Sequence, residues 1–160
     1  MRFVAVTVPV NTPDEPVQLT KEQLYQGLLV KARDPARFIP GIVRCDVLDT
    51  FATGLNREAE FKDKPGVVVH ERFEWFPPSQ VISTMTSPLT GERLGQITNV
   101  ISVTPSGELL LTFTFAWGEN GDLDVGNDAE LMEQQWQGRG FESVRGTLRA
   151  IRRLVAAGDL

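Results

Sequence analysis

The chain has 160 residues, 41% hydrophobic and 23% charged, which fits a single domain over 1–160 with a core of its own. A formal net charge of −5 argues against nucleic acid or an anionic membrane surface as partner. The single cysteine, Cys45, excludes an internal disulfide, and no apolar run reaches membrane-spanning length.

Residues 2–9 alternate and are rich in valine, a first strand that Pro9 stops. The apolar opening ends abruptly at Asn11–Glu15, too short for a signal peptide, so a reducing cytoplasm is the expected setting. After a polar loop with Pro13 and Pro16, Thr20 reads as a helix N-cap with Gln23 three residues on. The helix runs from Lys21 to about Arg33, with Leu24, Leu28 and the Val30–Lys31 pair on its inner side. Asp34-Pro35 starts a second, short helical turn through Phe38, which Pro40-Gly41 ends.

Strands follow. Val43, Cys45 and Val47 alternate with Arg44, Asp46 and Leu48, and Leu55, Arg57, Ala59 and Phe61 alternate with Glu58, Glu60 and Lys62. Val67–Phe76, Val81–Thr86, Leu94–Val103 and Leu109–Trp117 complete the set, with turns at Lys64-Pro65-Gly66 and Pro105-Ser106-Gly107. The last element is a helix from Asn127 to Ala157, with Asn127 as N-cap and Glu130 at N3. Val144, Leu148, Ile151 and Val155 form its apolar stripe. Gly138 and Gly140 interrupt the upper half of the stripe, either to let the helix bend over a twisted sheet or meet another helix, or to leave room for a ligand. The order strand, two short helices, six antiparallel strands, long helix is α+β, with about seven strands in one curved sheet wrapped around the C-terminal helix.

A one-residue slip would turn every side chain to the other face, so register can be read from patterning. Pairing Val103 with Leu109 sets Ile101 opposite Leu111, Asn99 opposite Phe113, Ile97 opposite Phe115 and Gly95 opposite Trp117. Pairing Phe61 with Val67 sets Ala59 opposite Val69, Arg57 opposite Glu71 and Leu55 opposite Phe73. The opposite parity would bury Glu58, Glu60 and Lys62. The inner face is then apolar except at Arg57, Glu71 and Asn99.

Several phrases resemble the AtaL-like branch of the START-like (SRPBCC) superfamily, which also holds ligand carriers and polyketide cyclases. They are Leu19-Thr20-Lys21-Glu22-Gln23-Leu24, Lys31-Ala32-Arg33-Asp34-Pro35 and Phe38-Ile39-Pro40-Gly41. Further on come His70-Glu71-Arg72, Gly95-Gln96-Ile97-Thr98-Asn99 and Leu109–Phe115. The resemblance spans nearly the whole chain and implies a helix-grip fold with an apolar cavity between the sheet and the last helix. It imports no reaction, because fold analogy does not carry function.

The expected ligand is a small apolar or aromatic molecule, lined by Phe73, Trp75, Ile97, Phe113, Phe115 and Trp117 on the sheet. Leu131, Gln135, Trp136 and Gly138 line it on the helix. Glu71 beside Arg57, with Asn99 one strand further across, forms the candidate polar site. There Glu71 could act as general base while Arg57 or Asn99 steadies an enolate oxygen, as in a cyclase or isomerase. The competing reading is a structural ion pair.

Other constellations are weaker. His70, the single histidine, falls on the outer face, and no Gly-x-Ser-x-Gly elbow exists. One His and one Cys cannot supply a zinc site, and Cys45 reads as a small core residue. The acidic stretch 118–128 resembles a calcium loop at Asp122-x-Asp124, but Gly126 stands where an oxygen ligand belongs and Asn127 where the turn glycine belongs, so it reads as a solvated loop. Gly91–Gly95 lacks the Lys-Ser/Thr of a phosphate loop and reads as a hairpin end. Arg145, Arg149, Arg152 and Arg153 read as a solvated face matched to the helix dipole. Neither cofactor nor metal is expected, and an exposed edge strand leaves a homodimer open.

Overall fold

The computed structural model describes residues 2–117 and 129–160, without the side chains of Arg2 and Ala129. In chain order the elements are β1 (Arg2–Pro9), α1 (Lys21–Arg33), a 3-10 turn (Pro35–Arg37), β2 (Ile42–Phe51) and β3 (Gly54–Phe61). Then follow β4 (Val68–Phe76), β5 (Gln80–Thr86), β6 (Arg93–Val103), β7 (Leu109–Trp117) and α2 (Ala129–Ala157). Of the two short helices expected after β1, the second is this one 3-10 turn. The N-cap expected at Asn127 and the acidic stretch 118–128 lie outside the described residues.

The seven strands form one antiparallel sheet in the order β1-β7-β6-β5-β4-β3-β2. β6 pairs with β7 in the expected register, from Gly95 opposite Trp117 to Val103 opposite Leu109. β3 pairs with β4 with Leu55 opposite Phe73, Arg57 opposite Glu71 and Ala59 opposite Val69. Parity therefore turns Val4, Val6, Val8, Leu111, Phe113 and Phe115 inward together, and all six are buried. Full burial of such a side chain contributes about 1.5–3 kcal/mol, so this face dominates the core.

Two helices cover that face. α1 starts in a complete capping box: Gln23 N–H donates to Thr20 Oγ1 at 3.1 Å, and Thr20 N–H donates to Gln23 Oε1 at 3.0 Å. It buries Leu24, Tyr25, Leu28 and Ala32, spaced as one helical face requires. α2 buries Val144, Leu148 and Ile151 of its expected stripe, with Val155 at the rim. Gly140 lets it approach the sheet, because a β-carbon there would stand 3.0 Å from Val6 Cγ2 and 3.1 Å from the Phe115 ring. A β-carbon at Gly138 would meet nothing within 4 Å. One glycine thus serves close packing and the other faces open space.

Two expectations change. Arg152 does not belong to the solvated arginine face: it is buried, donating from Nε to Val17 O at 3.1 Å and from Nη2 to Val10 O, and pairing with Glu15 at 3.1 Å. Its neighbours Arg145, Arg149 and Arg153 are exposed. On β2, Val43 and Val47 are exposed, because this edge strand is bulged between Ile42 and Arg44 and between Val47 and Asp49. Cys45 lies between those bulges, partly buried opposite Ala59, and burial pushes its thiol pKa up.

Candidate functional site

The inner face carries a polar cluster at the point where α1 ends over β3 and β4. Arg57 and Glu71 face each other across the β3–β4 pair and are both buried. Arg57 Nε and Nη2 reach Glu71 Oε2 at 2.7 and 2.6 Å, and Ser83 Oγ donates to Oε1 at 3.3 Å. The other arm of the guanidinium, Nη1, donates to the carbonyls of Lys31 at 3.2 Å and Ala32 at 2.8 Å. These are carbonyls of the last helical turn, which have no partner inside the helix, so Arg57 closes the end of α1. Its plane lies 4.4 Å from the centre of the Phe73 ring, which removes one face of the guanidinium from water.

Lys31 extends the cluster toward α2. Its Nζ donates to Thr147 Oγ1 at 3.1 Å and lies 4.2 Å from the centre of the Phe113 ring. Burial lowers its pKa to about 7; Arg57 pushes in the same direction, and Glu71 opposes both. Among the described residues no carboxylate forms an ion pair with Lys31, since Glu71 is already held by Arg57. Lys31, Ser83 and Thr147 were not among the expected site residues. Lys31 was legible as an inner-side residue of α1, seven residues after Leu24, but Thr147 and Ser83 gave no signal.

Asn99 is not part of this cluster. Glu71 pairs with Met85 and Met85 with Gly95, whereas Asn99 pairs with Val81 and lies four residues further along β6. β6 therefore lies two strands across from β4, with β5 between them, and four residues add about 13 Å along the strand. Asn99 Nδ2 donates to Val81 O at 3.4 Å, and Asn99 Oδ1 is buried without a partner among the described residues.

The expected apolar lining divides into three groups. Phe73, Phe113 and Phe115 are buried core. Trp75, Ile97, Trp117 and Trp136 are partly exposed, with Trp136 stacked on Trp117 at 5.0 Å and tilted against Phe115 at 5.9 Å. Trp75 carries the Arg33 guanidinium at 5.3 Å. Leu131, Gln135 and Gly138 are exposed, because buried helix positions begin at Gly140 and the turns before it rest on the sheet only through Trp136. Met85, opposite Gly95 on the inner face, joins the partly exposed group. A surface cleft of about 290 Å³ runs between Val10 and Arg149, away from this region, whereas one of about 280 Å³ over His70 and Thr84 also has Arg57 and Glu71 in its lining.

Among the described residues no three His, Cys, Asp or Glu side chains converge as metal ligands, and no helix is long and apolar enough to cross a membrane. The chain matches the family model "AtaL: Acetylaranotin biosynthesis cluster protein L" over residues 4–158. No curated protein matches it. Among solved structures, the Zhui aromatase/cyclase from Streptomyces sp. R1128 is similar at TM-score 0.67 and 16% identity, over 96% of this chain and 95% of that one. A START superfamily protein from Mycobacterium smegmatis is similar at TM-score 0.62 and 14% identity, over 96% and 98%. The di-domain ARO/CYC StfQ from the steffimycin biosynthetic pathway matches at TM-score 0.62 and 14% identity, over 94% of this chain and 50% of that one. At these identities the likeness carries the START-like helix-grip fold.

Proposed function

Because this chain belongs to the AtaL family, with a START-like fold over nearly its whole length, we propose that it binds a small apolar or aromatic molecule. The ligand lies against the inner face of the sheet, between the end of α1 and the upper turns of α2. The observation that carries this reading is the uneven cover of one face. Phe113, Phe115 and Ile101 are buried, whereas Met85, Ile97, Trp117 and Trp136 beside them remain partly exposed. Apolar surface left wet is worth about 25 cal/mol per Å² to whatever covers it, and a flat aromatic body suits the stacked indoles. Phe73 and Trp75 extend this wall toward β4, and the Lys31–Arg57–Glu71 cluster faces the polar end of the ligand.

A second reading draws on the aromatase/cyclases among the similar structures: an enzyme of cyclase or isomerase type with Glu71 as base. Both Glu71 oxygens already accept hydrogen bonds, from Arg57 and Ser83, so proton abstraction would require one of these to break. The test is native mass spectrometry of the purified protein against its denatured mass, followed by titration with an environment-sensitive apolar dye. A retained mass or saturable dye binding, weakened about tenfold by Trp136→Ala, is the expected result. Absence of both overturns the ligand-binding reading. Glu71→Gln separates the two readings: a carrier keeps much of its affinity, whereas a base catalyst loses turnover.

A further inference from the structure

We infer that Lys31 is a reactive amine, forming a reversible imine with the aldehyde or ketone group of an apolar ligand seated against Trp117 and Trp136. This deepens the ligand-binding reading above and rests on it.

Three observations converge on Lys31. Among the described residues its Nζ has a single hydrogen-bond acceptor, Thr147 Oγ1, and it lies against the Phe113 ring. The nearby carboxylate, Glu71, is already held by two nitrogens of Arg57, so the amine has a cationic neighbour and no ion-pair partner among the described residues. The residue is only partly buried, and its side chain turns to the inner face of the sheet, the face that also carries the uncovered apolar region. A lysine used only to fill space would be better served by methionine, which is unbranched and nearly as long and carries no charge to desolvate.

The chemistry follows from this placement. With its pKa lowered to about 7, roughly half of the Lys31 side chains carry a free lone pair at neutral pH. An exposed lysine, with a pKa near 10.4, has less than about a thousandth. A desolvated lysine beside another cation is the arrangement that makes amines nucleophilic toward carbonyl carbon. The Nζ lone pair forms the C–N bond while the carbonyl π electrons move to oxygen. A proton passes from nitrogen to that oxygen, for which the Thr147 hydroxyl is placed as relay. The resulting carbinolamine loses its hydroxyl as water, and a C=N bond remains. Amine plus carbonyl gives imine plus water, with no oxidant or reductant.

The experiment incubates the full chain with naphthaldehyde and sodium cyanoborohydride, which traps an imine as a secondary amine, and maps the label by peptide mass spectrometry. Binding of naphthylmethanol, which has the same ring and no carbonyl, is followed in parallel by tryptophan quenching. The expected result is label at Lys31 at least about tenfold faster than at Lys21, Lys62 or Lys64. Lys31→Arg and Lys31→Met both abolish that label. Even labelling of all four lysines, with naphthylmethanol bound, overturns the amine role and leaves the carrier reading standing. Failure to bind either compound overturns both.

Discussion

Gly27 of α1 and Ile151 of α2 meet at the crossing of the two helices: a β-carbon at Gly27 would stand 2.5 Å from Ile151 Cγ1. Ile151 is fully buried, so it has no free space into which to retreat. Gly27→Ala gains about 1 kcal/mol in helix propensity. It loses more by forcing the helices apart, and a net destabilisation of about 2 kcal/mol is expected in urea unfolding. An unchanged or raised midpoint would show that the helices do not cross this closely.

The two glycines of upper α2 should respond oppositely. Gly138 faces open space, so Gly138→Ala should raise stability by about 1 kcal/mol through backbone entropy alone. Gly140→Val drives a branched side chain into Val6 and Phe115 and should cost about 2 kcal/mol. Thermal melts of the pair compare them directly. Equal shifts would refute the asymmetric packing.

Breaking the buried ion pair at either end is costly. Glu71→Gln leaves the Arg57 charge uncompensated and should cost about 3 kcal/mol. Arg57→Met should cost more, since it strands the Glu71 carboxylate and also frees the Lys31 and Ala32 carbonyls at the end of α1. Hydrogen exchange localises the difference: only Arg57→Met should raise exchange in the last turn of α1.

Lys31 makes the fold pH-sensitive in a defined window. Its folded pKa of about 7 lies below an unfolded value of roughly 10.4. Between these values the unfolded chain binds more protons, so stability rises with pH. The penalty is fully present below about pH 7 and vanishes as pH rises through the unfolded pKa. Arg57 and Glu71 are the charged neighbours of position 31 in both proteins compared. Lys31→Met should therefore be about 2 kcal/mol more stable near neutrality, with the gain disappearing near pH 10. Parallel stability–pH curves for the two proteins would contradict this.

Much of the fold was legible because strand parity is binary. Once Glu58, Glu60 and Lys62 are sent outward, Arg57 must face inward, and its partner Glu71 follows from register. Asn99 shares that inward parity, but parity says nothing of position along a strand, and the actual pairing separates it from Glu71. The helix-side lining at Leu131, Gln135 and Gly138 came from extending the apolar stripe backwards, past the point where α2 leaves the sheet. Lys31 fell on the inner side of its helix, yet a charged residue there carries no pattern of its own. Its meaning depends on Thr147, which is 116 residues away in sequence.

The connection between Arg152 and the carbonyls of Val10 and Val17 has a consequence for how the fold closes. Among the described residues β1 pairs with β7 alone, and the loop after it is tied down by a side chain of α2, across 135 and 142 residues of sequence. Contacts this distant in sequence carry a large loop-closure cost, so the β1 edge should be the last part of the sheet to lock during refolding.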